Sequence, residues 1–285
     1  MERRWQVLLL ISIGSFMAFL DAPVVSVAFP EIQESFDGSS PTTIAWVLDG
    51  YFIAFAAPLA VAGKLADRFG RRRLFVAGLW AFTLASLVCG IAPSAGFEIA
   101  GRVAQGVAAA MVVPAGQGLM LAEFPPGERK AAIGILSAVV GLASAIAPGV
   151  GGIVVDTMGW RWIFLLNVIV GIAALAWAAS LLRRDEPARP GAPIPDLAGA
   201  ALQGAGLALV VLAILKQSDW GTVDGRTVAA LAIGVAALAL FLRRSARHRA
   251  PVLDLELFQN RTFAMANLGG MIFGAGLFGS MIIAV

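Results

Sequence analysis

Almost nothing in this sequence suits disulfide, zinc or triad chemistry. The 285-residue chain has one cysteine, Cys89, inside an apolar run, and one histidine, His248, among arginines. A lone cysteine makes no disulfide framework. One cysteine and one histidine leave a Cys/His zinc site or a Ser-His-Asp triad without material. No Gly-rich phosphate loop ending in Gly-Lys-Ser/Thr occurs, so ATP drive has no sequence support and no cofactor is expected. Charge is scarce as well. Asp, Glu, Lys and Arg make up 14% of the residues, against about 25% in soluble domains. With 59% hydrophobic residues and a mean hydropathy of +0.84, this excludes a soluble domain. An all-α membrane protein is expected.

What is present is a series of nine apolar runs, each near the ~20 residues that cross a bilayer. They are Leu8–Pro30, Thr43–Ala62, Leu74–Ala92, Phe97–Ala122, Ala131–Val155, Trp162–Leu182, Leu197–Leu215, Thr227–Leu242 and Phe263–Val285. The opening MERRWQ and the run after it could pass for a signal peptide. That run continues past Asp21 to Pro30, too far for one, so it reads as a retained first span. The net charge of +3 and pI near 9.6 do not indicate nucleic acid, because the cations lie between the apolar runs. With the N-terminus in the cytoplasm, 17 of the 21 cations fall inside and only Arg161, Lys216 and Arg226 outside, with Arg102 within a span. That bias fixes the orientation by the positive-inside rule. Trp46, Trp160, Trp162 and Trp220 then form an outer interfacial belt.

The expected organisation is a six-helix bundle over 1–182 and a Pro-rich cytoplasmic linker over 183–196. Two further spans follow over 197–242, a cytoplasmic loop over 243–262 and a final helix over 263–285. The loop contains PVLDLELF and reads as a short interfacial segment. The last run stops within apolar sequence, without cap or flanking charge, so the sequence is expected to be truncated.

The most specific stretch is Gly63–Arg73, GKLADRFGRRR, in which five of eleven residues are cations. Basic loops are common, but the spacing of Gly63, Asp67, Arg68, Gly70 and Arg71 is not. It resembles the loop between helices 2 and 3 of the major facilitator superfamily. WRWIFLLN, Trp160–Asn167, and LDAPVVSVAFP around Asp21 are similar to stretches of that superfamily's 14-helix drug:proton antiporter branch. Pro23 and Ser26 depart from the branch pattern. Arg102, Gln105 and Gly106 match its R-x-x-Q-G pattern. Gly134, Pro148, Gly151 and Gly152, with Ala143 and Ala147, resemble the antiporter motif of exporters.

The resemblance implies a major facilitator fold, with a complete N-terminal six-helix bundle, two inserted spans and the first span of a C-terminal half otherwise missing. It implies a proton-coupled antiporter in the bacterial cytoplasmic membrane, exporting lipophilic drugs, cationic ones among them. Its partners would be a small lipophilic substrate, protons, the lipid bilayer and the missing half. An importer of the superfamily and a truncated, non-transporting membrane protein are the alternatives.

A charged side chain at membrane depth costs at least about 2.5–3.5 kcal/mol, so each one asks for a reason. Asp21 and Arg102 are expected to share the central cavity as the proton-coupling pair. The bland alternative for each is the membrane interface. Asp49 is hydrated near the interface, a second proton acceptor or, with Tyr51 and Gln105, part of the substrate site. Gly63, Asp67, Arg68, Gly70 and Arg71 would form a conformational latch, with Asp67 short of partners. Pro30 and Pro23 are expected to kink the outer half of span 1, and Pro148 to bend span 5.

Overall fold

A computed structural model describes residues 2–183, 196–248 and 251–283, and every regular element among them is helical. In hydrocarbon, a helix satisfies its backbone groups internally, which is why apolar runs of this length become helices. They are α1 (Arg3–Val27), α2 (Phe29–Ser35), α3 (Pro41–Ala56), α4 (Leu59–Phe69), α5 (Arg71–Gly90), α6 (Ala95–Glu123), α7 (Arg129–Met158), α8 (Arg161–Leu181), α9 (Leu197–Trp220), α10 (Gly225–Ser245) and α11 (Arg261–Ile283). A short 3₁₀ helix, Leu255–Gln259, precedes α11. Among the described residues, seven helices are long and apolar enough to cross a membrane, or eight if the bent pair α3 and α4 is one span. The ninth expected span corresponds to α11. The expected linker, from 184 to 195, lies outside the described residues, as do the last two residues of the chain.

Three breaks differ from the sequence expectations, each for a local reason. α1 continues through Pro23, and the chain breaks at Ala28, where α2 starts with Pro30 in its first turn. Proline is tolerated there because that position has no helical N–H bond to lose. Span 2 is two helices bent by 47° at Ala57–Pro58. The Gly63–Arg73 stretch is not a loop. Gly63–Phe69 ends α4, Arg71 begins α5, and Gly70 alone connects them at φ 108°. A side chain is strained at that φ, so glycine permits the one-residue turn. At the other expected bend, α7 is one continuous helix through Pro148.

The bundle is built by α5 and α3 against α6, α7 against α1, and α8 against α5, with α9 paired to α10 and leaning on α3. One apolar cluster joins Leu10, Phe75, Phe82 and Met120; a second joins Val25, Ile44, Val47 and Phe164. Gly106 lets α6 close on α3, since an added Cβ would lie 2.5 Å from the Tyr51 carbonyl oxygen. At the N-terminal end of α1, Arg3 donates to both Glu123 carboxylate oxygens, at 2.8 and 2.7 Å, and Arg4 pairs with Glu128 at 2.7 Å. Trp160, assigned above to an interfacial belt, is instead buried. Its Nε1 donates to Ser35 Oγ at 2.8 Å and its ring meets Phe36 edge-on at 5.7 Å.

Candidate functional site

Asp21 and Arg102 lie wholly inside the bundle and bond each other, Arg102 Nη1 donating to Asp21 Oδ2. Five helices position the pair. Asp21 sits on α1, and its Oδ1 accepts from Gln105 Nε2 of α6 at 3.0 Å and Asn167 Nδ2 of α8 at 2.9 Å. Gln105 also donates to Ser86 Oγ of α5 at 2.8 Å, and its own Oε1 accepts from Arg102 Nη1. Arg102 Nε donates to the Val47 carbonyl of α3 at 3.0 Å. Its guanidinium lies 4.2 Å from the centre of the Tyr51 ring and 5.6 Å from that of Phe164. Tyr51 is fixed in turn by its hydroxyl, which donates to Ala18 O at 2.8 Å.

A buried ion pair is tolerable only when further hydrogen bonds satisfy its remaining lone pairs and protons. Here neutral amides, a carbonyl and two aromatic faces surround a carboxylate and a guanidinium whose charges cancel. The interface reading of Asp21 and Arg102 is therefore replaced by a closed internal pair. Tyr51 and Gln105, expected at the substrate site, are buried in the support of that pair. Asp21 and Asn167 reach the wall of a cavity of about 300 Å³ between α1, α7 and α8. The rest of its wall is almost entirely apolar, with Phe16, Leu20, Val154 and Leu166 among its residues.

Asp49 has a resident cation. Lys216 Nζ lies 3.0 Å from its carboxylate, 3.3 Å from Asp219 and 5.2 Å from the Trp46 ring centre. Lys216 was assigned to an outer loop because the seventh apolar run stops at Leu215. The helix continues to Trp220, which puts Lys216 on it and 3% exposed. In this arrangement Lys216 occupies the Asp49 carboxylate, whose side chain keeps 14% exposure.

In the basic stretch, Arg71 donates to Asp67 Oδ1 through Nε at 2.9 Å and Nη2 at 2.8 Å, and to the Gly118 carbonyl through Nη1 at 2.8 Å. Asp67, expected to lack partners, is held by Arg71 four residues on while remaining largely exposed. Gly63 rests against Pro114, and Arg68 lies over the Phe69 ring at 5.5 Å. These contacts tie the α4–α5 turn to α6. Of the α7 residues, Ala143, Ala147 and Gly151 face inward, Gly151 against Val24 of α1. Gly134 and Gly152 have no neighbour within 4 Å of a Cβ position, and Pro148 is exposed, so these three face away from the described bundle.

The sequence reading passed over Glu98, Asn167 as an Asp21 ligand, Ser86 and Lys216. Glu98 carried a usable signal, an acid four residues before Arg102 on one apolar helix. Ser86 carried none, being an ordinary serine in an apolar run.

A bundle of membrane-length helices closed on a desolvated ion pair defines a multi-pass membrane protein with an ionisable centre. The chain belongs to the Major Facilitator Superfamily, whose sequence pattern matches residues 11–285. It is 36% identical over 258 residues to the tetracenomycin C resistance and export protein of Streptomyces glaucescens, covering 90% of this chain and 48% of that protein. It is 38% identical over 268 residues to the methylenomycin A resistance protein of Streptomyces coelicolor, covering 94% of this chain and 56% of that protein. The chain thus spans about half the length of the curated relatives it matches. The crystal structure of an auto-inhibited POT family peptide transporter shares the fold, with a TM-score of 0.59 at 17% identity, over 87% of this chain and 55% of that one.

Proposed function

We propose that this chain is the N-terminal part of a proton-coupled antiporter that exports lipophilic compounds, cationic ones among them, from the bacterial cytoplasm. The observation that carries the reading is Asp21, a buried carboxylate paired with Arg102 that also reaches an apolar cavity. The resistance and export names of its relatives support it. A proton arriving from outside neutralises Asp21, frees Arg102 from its charged partner and loosens the packing of α1 on α6. A lipophilic compound leaves the apolar cavity as that packing changes. The proton gradient supplies the energy, and no cofactor is needed. The Gly70 turn and the N-terminus lie in the cytoplasm, following the cation bias. Asp67, Arg68 and Arg71 act there as a latch, and the inward small residues of α7 let it slide on α1. Asp49 receives a cationic compound when Lys216 is displaced.

Alternating access needs two halves rocking about a central site, so a C-terminal half completes the transporter. The test is efflux of a lipophilic cationic dye from cells expressing this chain with and without such a half. Efflux is expected only with it, collapses with the proton gradient and is abolished by Asp21→Asn while membrane insertion persists. Arg102→Ala is expected to shift its pH dependence. Normal efflux by Asp21→Asn across pH would refute the reading.

A further inference from the structure

Glu98 is fully buried in the first turn of α6, yet neither of its carboxyl oxygens has a hydrogen-bond partner among the described residues. A few Å along the same helix, about 6 Å for one turn, Arg102 keeps one amino group, Nη2, equally unbonded. The charged and titratable groups facing Glu98 are Arg102 on α6, Cys89 on α5, Asp21 on α1 and Arg161 on α8. Cys89 offers its thiol, a weak donor that also lies beside the carboxyl, to the Glu98 backbone carbonyl at 4.0 Å.

Asp21 already cancels the charge of Arg102. An ionised Glu98 would put a charge in a dry site with no ion pair to its carboxyl, Arg161 bonding the Ala92 carbonyl at 3.3 Å instead, and burial without a bonded partner is costly. Glu98 therefore carries a proton while Asp21 is ionised. The reverse arrangement has the same net charge. If Asp21 holds the proton, the guanidinium needs another carboxylate, and its unbonded Nη2 is available to Glu98. We propose that Glu98 is a second proton acceptor of this centre, sharing one proton with Asp21 across Arg102. This rests on the reading of Asp21 as the proton carrier. In the exchange, the Glu98 O–H bond breaks and an Asp21 O–H bond forms. Arg102 keeps all its protons and changes only its hydrogen-bond partner. Two acids and one guanidinium thus hold a proton in either of two places without burying a net charge. Glu98, near the start of α6, is the acceptor closer to the medium on that side.

Infrared pH-difference spectra of the purified chain in lipid nanodiscs test the sharing. The wild type should show a protonated-carboxyl stretch at neutral pH, and Glu98→Gln should lose it. Asp21→Asn should lose it too, because Glu98 then ionises to pair with Arg102. The Asp21→Asn/Arg102→Met double variant should regain it. A band that survives Glu98→Gln, or one that Asp21→Asn leaves unchanged, overturns the proposal. The Asp21 arm keeps Glu98 in place, so the outcome does not hang on Glu98→Gln folding. Dye efflux reads the export function separately: loss of coupled efflux with these spectra intact would sink the exporter reading and leave proton sharing standing.

Discussion

The Asp21–Arg102 pair makes a double-mutant cycle decisive. Arg102→Met removes the guanidinium and leaves Asp21 with only Gln105 Nε2 at 3.0 Å and Asn167 Nδ2 at 2.9 Å, both neutral donors. Asp21→Asn leaves Arg102 charged, fully buried and facing Gln105 Oε1, Val47 O and the ring of Tyr51, with Glu98 one turn away as its remaining countercharge. Breaking one partner of a buried pair costs about 3–5 kcal/mol, whereas replacing both partners with neutral groups is often neutral or stabilising. Arg102→Met should therefore lose about 3–5 kcal/mol, and Asp21→Asn less, because Glu98 takes over as the partner of Arg102. The double variant should lie within about 1 kcal/mol of the wild type, a coupling of at least ~2 kcal/mol. In thermal unfolding in nanodiscs this is a fall on the order of 10 °C for Arg102→Met and a smaller one for Asp21→Asn. The double variant should largely recover. If its loss equals the sum of the two single losses, the residues do not interact and the buried centre described here is wrong.

Lys216→Met should detach α9 from α3 by stranding Asp49, seen as faster amide exchange in α9, and Asp49→Asn added to it should restore protection. Its cost should fall below the ~3–5 kcal/mol of a fully dry pair, because the Asp49 side chain keeps 14% exposure. Gly106→Ala should cost about 1–3 kcal/mol of thermal stability by overpacking, since its Cβ would lie 2.5 Å from the Tyr51 carbonyl. The Arg244 guanidinium bonds Asp196, at the start of α9, and holds its carboxyl below the usual carboxylate range. A lowered folded value means that this contribution is fully present above the unfolded pKa of about 3.9 and is lost as pH falls through the folded one. Unfolding of the α9–α10 pair should thus be flat between pH 5 and 8, fall under strong acid, and lose that acid step in Asp196→Asn.

The helices were legible because apolar length alone selects them, and Asp21 and Arg102 because a charge in hydrocarbon demands an explanation. Their meeting was legible only as a shared depth. Partners contributed by other helices, such as Asn167 and the Val47 carbonyl, depend on how the helices are rotated, and hydropathy does not carry that. The basic stretch was misread as a loop because cations usually mark one. At Gly70 a single residue with positive φ turns the chain, so the cations lie on helix ends. Lys216 was misplaced by the same habit. An ammonium on a long apolar stem was counted as the end of a span, although acids at positions 49 and 219 let the helix continue past it.

α3 is the element that joins these two charged places. Val47 and Tyr51 are four residues apart, hence on one face of the helix, and both hold Arg102, one by its carbonyl and one by its ring. Asp49 lies between them in sequence, about 200° around the helix at 100° per residue, and meets Lys216 of α9. A rotation or shift of α3 therefore cannot change one contact without changing the other. The bend at Ala57–Pro58 lies one to two turns beyond Tyr51 and separates α3 from α4, which is tied through Asp67 and Arg71 to Gly118. On this geometry, the α9–α10 pair leans on the helix that cradles the arginine, and the Lys216–Asp49 and Arg102–Val47 contacts are carried by one rigid element.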